Sequence, residues 1–133
     1  MIIVSACLLG LKTRYDGKTK AAPELVSGLA NMHVIPICPE QLGGLPTPRP
    51  PASILYGNGI DVLNGKAKVI SESGEDVTPY FLKGAKEALK LAKMFQVNCA
   101  ILKSKSPSCG LSPVIGVTAA LLLLNGIKIK EMG

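Results

Sequence analysis

Residues 99–110 read CAILKSKSPSCG, a short apolar run followed directly by small polar residues. The run Cys99–Leu102 predicts a buried β-strand. No large apolar side chain interrupts residues 103–110, so this segment fits neither a buried strand nor the inner face of a helix. The stretch therefore predicts a strand that leads into a polar loop carrying one cysteine, Cys109.

Predicted strands and helices alternate along the rest of the chain. Apolar runs rich in β-branched residues predict three more strands, at Ile2–Ala6, Val34–Ile37 and Ile127–Lys130. Apolar residues at helical spacing predict three helices: Pro23 to about Met32, a long one with Thr78 as N-cap and Pro79 in its first position, and Ile115–Leu124. Alternating strands and helices are typical of an α/β fold with a mostly parallel sheet.

The segment between the second strand and the long helix predicts an insertion into this pattern. Residues 43–52 are rich in proline and glycine and indicate an extended irregular loop. Residues 60–70 alternate on either side of Asn64-Gly65, a strong β-hairpin signal. We therefore predict a small single-domain α/β protein over residues 1–133, with a mostly parallel sheet, flanking helices and an inserted β-hairpin.

Composition limits the partners. The 133 residues include 15 basic and 9 acidic side chains, a net charge of +6 that suits an anionic partner such as a nucleotide or RNA. Three Tyr, two Phe and no Trp offer little for stacking on bases, so we expect no stable nucleic-acid complex. The longest apolar run, Val117–Leu124, is far below the roughly 20 residues of a membrane span. The N-terminus resembles no signal peptide, and we expect a cytoplasmic protein without a membrane partner.

Three of the four cysteines follow predicted strands. Cys7, Cys38 and Cys109 each come after a strand, and parallel strands end at one edge of a sheet, where ligands bind. Cys99 begins its strand and His33 precedes another, so both belong to the opposite edge. Three thiols without a histidine suit an iron–sulfur cluster or a thiophilic metal, and three ligands would leave one iron of a four-iron cluster open. The alternative is three unrelated cysteines.

Polar side chains near these cysteines are candidates for contact with a substrate. Glu40 follows Cys38 across a proline and is the candidate acid or base. Arg49 lies in a proline-rich loop that would pre-order its guanidinium for an anion or a carbonyl group. The remaining candidates are Arg14 and Asp16 after Cys7, and Lys103, Ser104, Ser106 and Ser108 before Cys109. Each of them is also compatible with an ordinary solvated loop or turn.

Five blocks of the sequence, taken together, resemble the thiouracil desulfidase family. They are SACLLG at 5–10, RYDG at 14–17, CPEQLGGLPTPRPP at 38–51, KSKSPSCG at 103–110 and GVTAALL at 116–122. The resemblance covers nearly the whole chain. This chain differs from the family pattern in two places. Thr13 stands where members often have a further cysteine, and LSPVI at 111–115 replaces a longer acidic, aromatic and glycine-rich loop.

The resemblance implies a cofactor and a reaction. An oxygen-sensitive 4Fe–4S cluster would be held by Cys7, Cys38 and Cys109, and its open iron would take the sulfur of 2-thiouracil to release uracil without net redox chemistry. The family's catalytic glutamate would correspond to Glu40 and its catalytic serine to Ser104, with Ser106 and Ser108 as the alternatives. Arg14, Asp16, Arg49, Lys103, Ser106 and Ser108 would line the site for a small thiolated nucleobase. The sulfide would pass to an acceptor or be lost as hydrogen sulfide.

Two other functions are compatible with the sequence. The same three ligands could serve a binding module that carries iron–sulfur or sulfur to a partner without turnover. A small nucleotide- or RNA-binding domain would suit the charge, but the chain has no GxGxxG or P-loop pattern.

Overall fold

In a computed structural model that describes residues 1–133, a four-stranded sheet forms the centre of the fold. Its spatial order is β2-β1-β5-β6, and each neighbouring pair is parallel. The four strands are β1 Ile2–Ser5, β2 Val34–Ile37, β5 Cys99–Lys103 and β6 Lys128–Met132. A separate antiparallel pair consists of β3 Ala52–Leu55 and β4 Lys68–Ser71.

Five α-helices and one 3-10 helix connect these strands. Their bounds are α1 Pro23–Gly28, α2 Pro39–Leu42, α3 Gly59–Leu63, α4 Thr78–Met94 and α5 Val117–Leu124, with the 3-10 helix at Ala6–Leu9. The predicted α/β fold with a mostly parallel sheet, flanking helices and an inserted antiparallel pair is confirmed. No helix has both the length and the apolar character that crossing a membrane requires.

Both faces of the main sheet are covered, because side chains of successive strand residues point to opposite faces. On β1, Ile2 and Val4 pack with Leu25 and Leu29 in and beside α1. Ile3, between them, faces the other way and packs with Ala88 of α4 and residues of α5. Four side chains of α4 are almost fully buried at helical spacing, namely Phe81, Ala85, Ala88 and Ala92. Phe95, the next apolar residue at this spacing, lies past the helix end and is exposed.

The hairpin prediction around Asn64-Gly65 is wrong in its position. The antiparallel strands are residues 52–55 and 68–71, and α3 lies between them. Asn58 begins α3 with a capping box, in which its Oδ1 accepts hydrogen bonds from the N–H groups of Ile60 and Asp61 and the Asp61 carboxylate accepts from Asn58 N–H. Gly65, with φ +76°, follows the end of this helix, a position that favours glycine as much as a hairpin turn does.

Several boundaries also differ from the prediction. α1 ends at Gly28, short of the predicted Met32, and α5 begins at Val117, two residues after the predicted start. Thr78 is the first residue of α4 and not its N-cap, and its Oγ1 instead accepts a hydrogen bond from Val69 N–H at 2.9 Å. The short helix α2 was not predicted at all, and it lies between β2 and the loop predicted at residues 43–52.

Two glycines hold α2 directly against α4. A Cβ atom at Gly84 of α4 would collide with the carbonyl oxygen of Pro39, and one at Gly43 would collide with the carbonyl oxygen of Tyr80. The two backbones therefore touch, and this contact fixes the direction in which α2 leaves β2. Because Cys38 and Glu40 stand at the start of α2, the contact also positions both side chains.

We expect Gly84→Ala to destabilise the protein by about 1–3 kcal/mol or more, because the new methyl group meets backbone that cannot rotate away. Displacement of α2 should also lower any activity that depends on Glu40. The measurement is the free energy of unfolding in urea. Gly28→Ala is the matched control, since nothing lies within 4 Å of its Cβ position. An equal effect of both substitutions would contradict the close contact between α2 and α4.

Candidate metal centre and active site

The carboxyl ends of β1, β2 and β5 meet at one edge of the main sheet, and a cavity of about 210 Å³ opens there. Cys7 lies in the 3-10 helix that follows β1, Cys38 directly follows β2, and Cys109 lies in the loop after β5. All three thiols line this cavity, and none is in a disulfide. The structure therefore brings together three side chains that are far apart in the sequence. Cys99 and His33 are at the amino ends of β5 and β2, at the opposite edge of the sheet.

The three thiols have different surroundings. Burial raises the pKa of Cys7, and the neighbouring Cys38 raises it further. Burial also raises the pKa of Cys38, whose Sγ donates a hydrogen bond to Thr13 O at 3.5 Å. Cys109 is the most enclosed of the three, and burial raises its pKa to about 12. The hydroxyl groups of Ser5 and Ser108 favour the thiolate and partly oppose this rise in pKa. Without a positively charged ligand, all three groups are held as neutral thiols at neutral pH.

Glu40, in the first turn of α2, reaches into the same cavity with both carboxylate oxygens engaged. Its Oε1 accepts a hydrogen bond from Arg49 Nε at 3.0 Å, and its Oε2 accepts one from Ser108 Oγ at 3.0 Å. The pairing with Arg49 is a buried ion pair, in which the side chain of Arg49 is 4% exposed and that of Glu40 is 15% exposed. Such a carboxylate is fixed in orientation and keeps a face toward the cavity.

The guanidinium of Arg49 is held by protein groups on every side. Beyond Glu40, its acceptors are Pro46 O, Thr47 Oγ1, Thr13 O and Cys38 Sγ, at 3.2, 2.8, 3.0 and 3.8 Å. Its backbone N–H also donates to Tyr15 O at 2.8 Å. Arg49 therefore ties the proline-rich loop to the loop after Cys7.

The serines of the loop 103–110 divide into two kinds. Ser106 Oγ accepts hydrogen bonds from the N–H groups of Ser108 and Cys109, at 3.2 and 3.1 Å, so it shapes the turn that carries Cys109. Ser108, fully buried, links Glu40 to Cys109, whose Sγ lies 3.7 Å from its hydroxyl. Ser104, the residue predicted to be the catalytic serine, lines the cavity and makes no side-chain hydrogen bond within the protein. The structure brings Ser108, and not Ser104, into contact with Glu40.

Sequence reasoning missed Ser5 at the end of β1. Its side chain is buried, its Oγ accepts a hydrogen bond from Lys103 N–H at 2.9 Å, and its hydroxyl opposes the burial that raises the pKa of Cys109. The signal was a hydroxyl residue at the end of an apolar strand, two positions before Cys7. A buried serine in such a place needs a partner, and here the partners come from β5 and its loop.

Of the charged residues predicted near Cys7 and Cys109, Arg14 and Lys103 line the cavity and Asp16 does not. Arg14 forms an ion pair with Asp16 at 3.7 Å and lies over the ring of Tyr15. A hydrogen bond from Lys18 N–H lowers the pKa of Asp16. Lys103 lines the cavity, and its Nζ donates to Ser104 O and Gly133 O at 2.8 and 3.1 Å. Burial lowers the pKa of Lys103.

The short segment after Cys109 is tied down by β6. Glu131 accepts hydrogen bonds from Leu111 N–H at 2.8 Å and from Ser112 Oγ at 3.0 Å, and the first of these lowers its pKa. A Cβ at Gly116 would collide with the backbone of Ser108 and Cys109, so only glycine fits there. The five residues 111–115 therefore close the loop against the sheet edge without adding a flap over the cavity mouth.

Comparison with known proteins gives this geometry a context. The family model described as 2-thiouracil desulfurase matches residues 2–131. The chain belongs to this family. The resemblance predicted from the five sequence blocks is thereby confirmed, and so is the prediction of an enzyme of thiouracil desulfuration, at the level of the family.

Two known proteins are similar to this chain over most of their length. A solved structure described as a [4Fe–4S]-dependent thiouracil desulfidase, TudS, superposes with a TM-score of 0.81 at 41% identity, over 98% of this chain and 89% of that one. The protein YbbK of Bacillus subtilis (strain 168) is 42% identical over 141 residues, covering 97% of this chain and 93% of YbbK. That alignment is longer than the 133 residues of this chain, which agrees with a shortened segment here.

Proposed function

We propose that the protein converts 2-thiouracil to uracil with a [4Fe–4S] cluster held by Cys7, Cys38 and Cys109. The observation that carries the proposal is the meeting of three thiols and one fixed carboxylate, Glu40, around a single cavity. The family match and the likeness to TudS support the substrate and the cofactor. The net reaction exchanges sulfur for oxygen, in that thiouracil and water give uracil and hydrogen sulfide, with no oxidant or reductant consumed.

The donor set of the cavity fits such a cluster. The three thiols line one cavity, yet they do not form a group close enough to hold a single metal ion. In a cluster each thiolate binds its own iron, so the ligands stand apart around the inorganic core. Binding of the positively charged irons would also offset the burial that keeps these thiols neutral. When bound, the cluster would supply one iron without a protein ligand, a Lewis acid for the sulfur of the substrate.

The side chains of the cavity would carry out the remaining chemistry. Glu40 would take a proton from the water that attacks the carbon of the C=S bond and return it to the leaving sulfur or the ring. Ser108 and Arg49 would hold its two oxygens in place for both transfers. Ser104, whose hydroxyl is free of protein partners, would orient the pyrimidine ring, while Lys103 and Arg14 face its outer edge.

The fixed carboxylate favours an enzyme over a carrier module. A carrier of iron–sulfur or sulfur needs its three ligands, but it does not need a glutamate held between a buried arginine and a serine beside them. We propose further that the sulfur leaves as hydrogen sulfide, which is either released or taken up as sulfide by an acceptor, with no change of oxidation state. The protein would act in the reducing cytoplasm, without a stable nucleic-acid complex.

The test is reconstitution of the purified protein with iron and sulfide under anaerobic conditions. We expect a brown protein with broad visible absorption, roughly four irons per chain, and conversion of 2-thiouracil to uracil with release of sulfide. The apo protein, assayed in parallel, should be inactive. A loaded protein that binds thiouracil without releasing uracil would support the carrier, and a protein that takes up no iron would overturn the proposal.

A further inference from the structure

We propose that Arg49 is a positioning residue, which holds Glu40 and Cys38 in their working geometry, and that it does not bind the substrate. This role presupposes the proposed function of the site. The sequence predicted Arg49 as a substrate ligand, because a guanidinium in a rigid proline-rich loop is well placed to receive an anion or a carbonyl group. The contacts of the side chain lead to a different role.

All five N–H donors of the Arg49 guanidinium have acceptors within the protein. Nε donates to Glu40, the two hydrogens of Nη1 to Pro46 O and Thr47 Oγ1, and the two hydrogens of Nη2 to Thr13 O and Cys38 Sγ. The side chain is also almost fully buried. An incoming substrate would have to displace one of these bonds from a buried charge, which costs more than it gains.

The acceptors belong to three separate parts of the site. Glu40 is the candidate acid or base, Cys38 is a candidate cluster ligand, and Thr13 belongs to the loop that follows Cys7. The planar, forked guanidinium has the shape to hold all three in one arrangement, whereas the ammonium of a lysine acts as a single point. Movement of Arg49 would therefore change the carboxylate and the cluster ligand together.

Arg49 also stands between two cavities. A second cavity of about 280 Å³ lies beside the first, and Glu40, Arg49 and Ala52 line both. Its other walls include Ser71, Glu75 and Tyr80. Loss of the guanidinium would open the first cavity into the second and would leave the Glu40 carboxylate without its charged partner. The position of this side chain thus controls the enclosure as well as the geometry of the site.

The decisive comparison is between Arg49→Lys, Arg49→Met and Thr47→Val in the reconstituted protein. We expect both Arg49 variants to lose roughly 10–100-fold in kcat, the usual range for a partner that orients a metal site, with KM nearly unchanged. The reduction potential of the cluster should shift to more negative values, because an N–H donor to a ligand sulfur stabilises the reduced state. Thr47→Val removes the hydroxyl that accepts from Arg49 Nη1 and from Gln41 Nε2 but leaves the bonds of Arg49 to Glu40 and Cys38, so it should lower kcat and shift the potential much less than the Arg49 variants do.

Further measurements keep the outcomes distinct. Added guanidinium ion at non-denaturing concentration should restore part of the kcat of Arg49→Ala, because it can refill the position between the two cavities. A rise in KM with unchanged kcat would make Arg49 a substrate ligand and overturn the inference. Unchanged kcat and unchanged potential, with only a lower Tm, would overturn it as well. If the parent protein binds its cluster but does not desulfurate thiouracil, the proposed function fails, and the potential of the Arg49 variants still tests the contact with Cys38.

Discussion

Replacing Cys38 by alanine is expected to abolish iron binding and desulfuration together. Cys38 is only half-buried, so the smaller side chain leaves no large cavity and the fold should persist. The two remaining thiols, Cys7 and Cys109, would be too few ligands to retain the cluster. We expect iron to fall from roughly four per chain to near zero after anaerobic reconstitution, with loss of the visible absorption. Cys7→Ala should behave in the same way.

The matched control for this result is Cys99→Ala. Cys99 is also partly buried, and it stands at the first residue of β5, at the edge of the sheet opposite the cavity. It packs against the apolar cluster around Ile2 and Val4. Iron content and turnover should match those of the parent protein, with at most a small loss of stability. Retention of a full cluster by Cys38→Ala, or its loss in Cys99→Ala, would show that the ligand set is not the three thiols of the cavity.

The parallel sheet could be predicted from the sequence because the sequence patterns that indicate its strands and helices are local. Each strand is a compact apolar run, and α4 carries its apolar residues at helical spacing. The rule that parallel strands end at one edge then predicts that Cys7, Cys38 and Cys109 lie near one another, without knowledge of any side-chain contact. The cysteine at the start of a strand, Cys99, is separated from them by the same rule.

The misplaced hairpin shows where local signals fail. Asn-Gly suits both a tight hairpin turn and the end of a helix, because both need a residue with positive φ. Residues 60–63 alternate weakly and can form either a strand or one turn of helix. The outcome was decided by Asn58, whose capping box begins α3, and by the pairing of β4 with β3 across the intervening helix. Pairing of that kind is a tertiary property.

The hydrogen-bond network around Glu40 could not be predicted from the sequence for a similar reason. Ser108 is 68 residues from Glu40 along the chain, and Ser5 is 98 residues from Lys103, yet each pair is joined by a hydrogen bond. Several serines surround Cys109, and nothing in their order distinguishes the one that faces the carboxylate. Likewise, a proline-rich loop indicates a rigid arginine but not the direction in which it points. Burial and backbone direction decide these contacts, and both come from packing.

Glu40→Gln should keep the cluster and lose the reaction. The amide has the size of the carboxylate, and Glu40 is not among the thiols expected to hold iron, so iron content and the visible spectrum should match the parent. The amide cannot accept a proton from water at neutral pH, so we expect kcat to fall roughly 10²–10⁴-fold while KM changes little. The measurement is steady-state release of uracil from 2-thiouracil by protein with a known iron content.

The variant also breaks the buried ion pair with Arg49, and loss of one partner from such a pair typically costs about 3–5 kcal/mol of stability. Turnover must therefore be measured well below the Tm of the variant. Glu75→Gln is the matched control, because Glu75 lines only the second cavity and should leave kcat intact. If Glu40→Gln turns over at the parent rate with a full cluster, the carboxylate only anchors Arg49, and the proton must move through Ser104 or through water. A fall in kcat at full iron content, which Glu75→Gln does not reproduce, would separate the chemical role of Glu40 from its part in holding the loop.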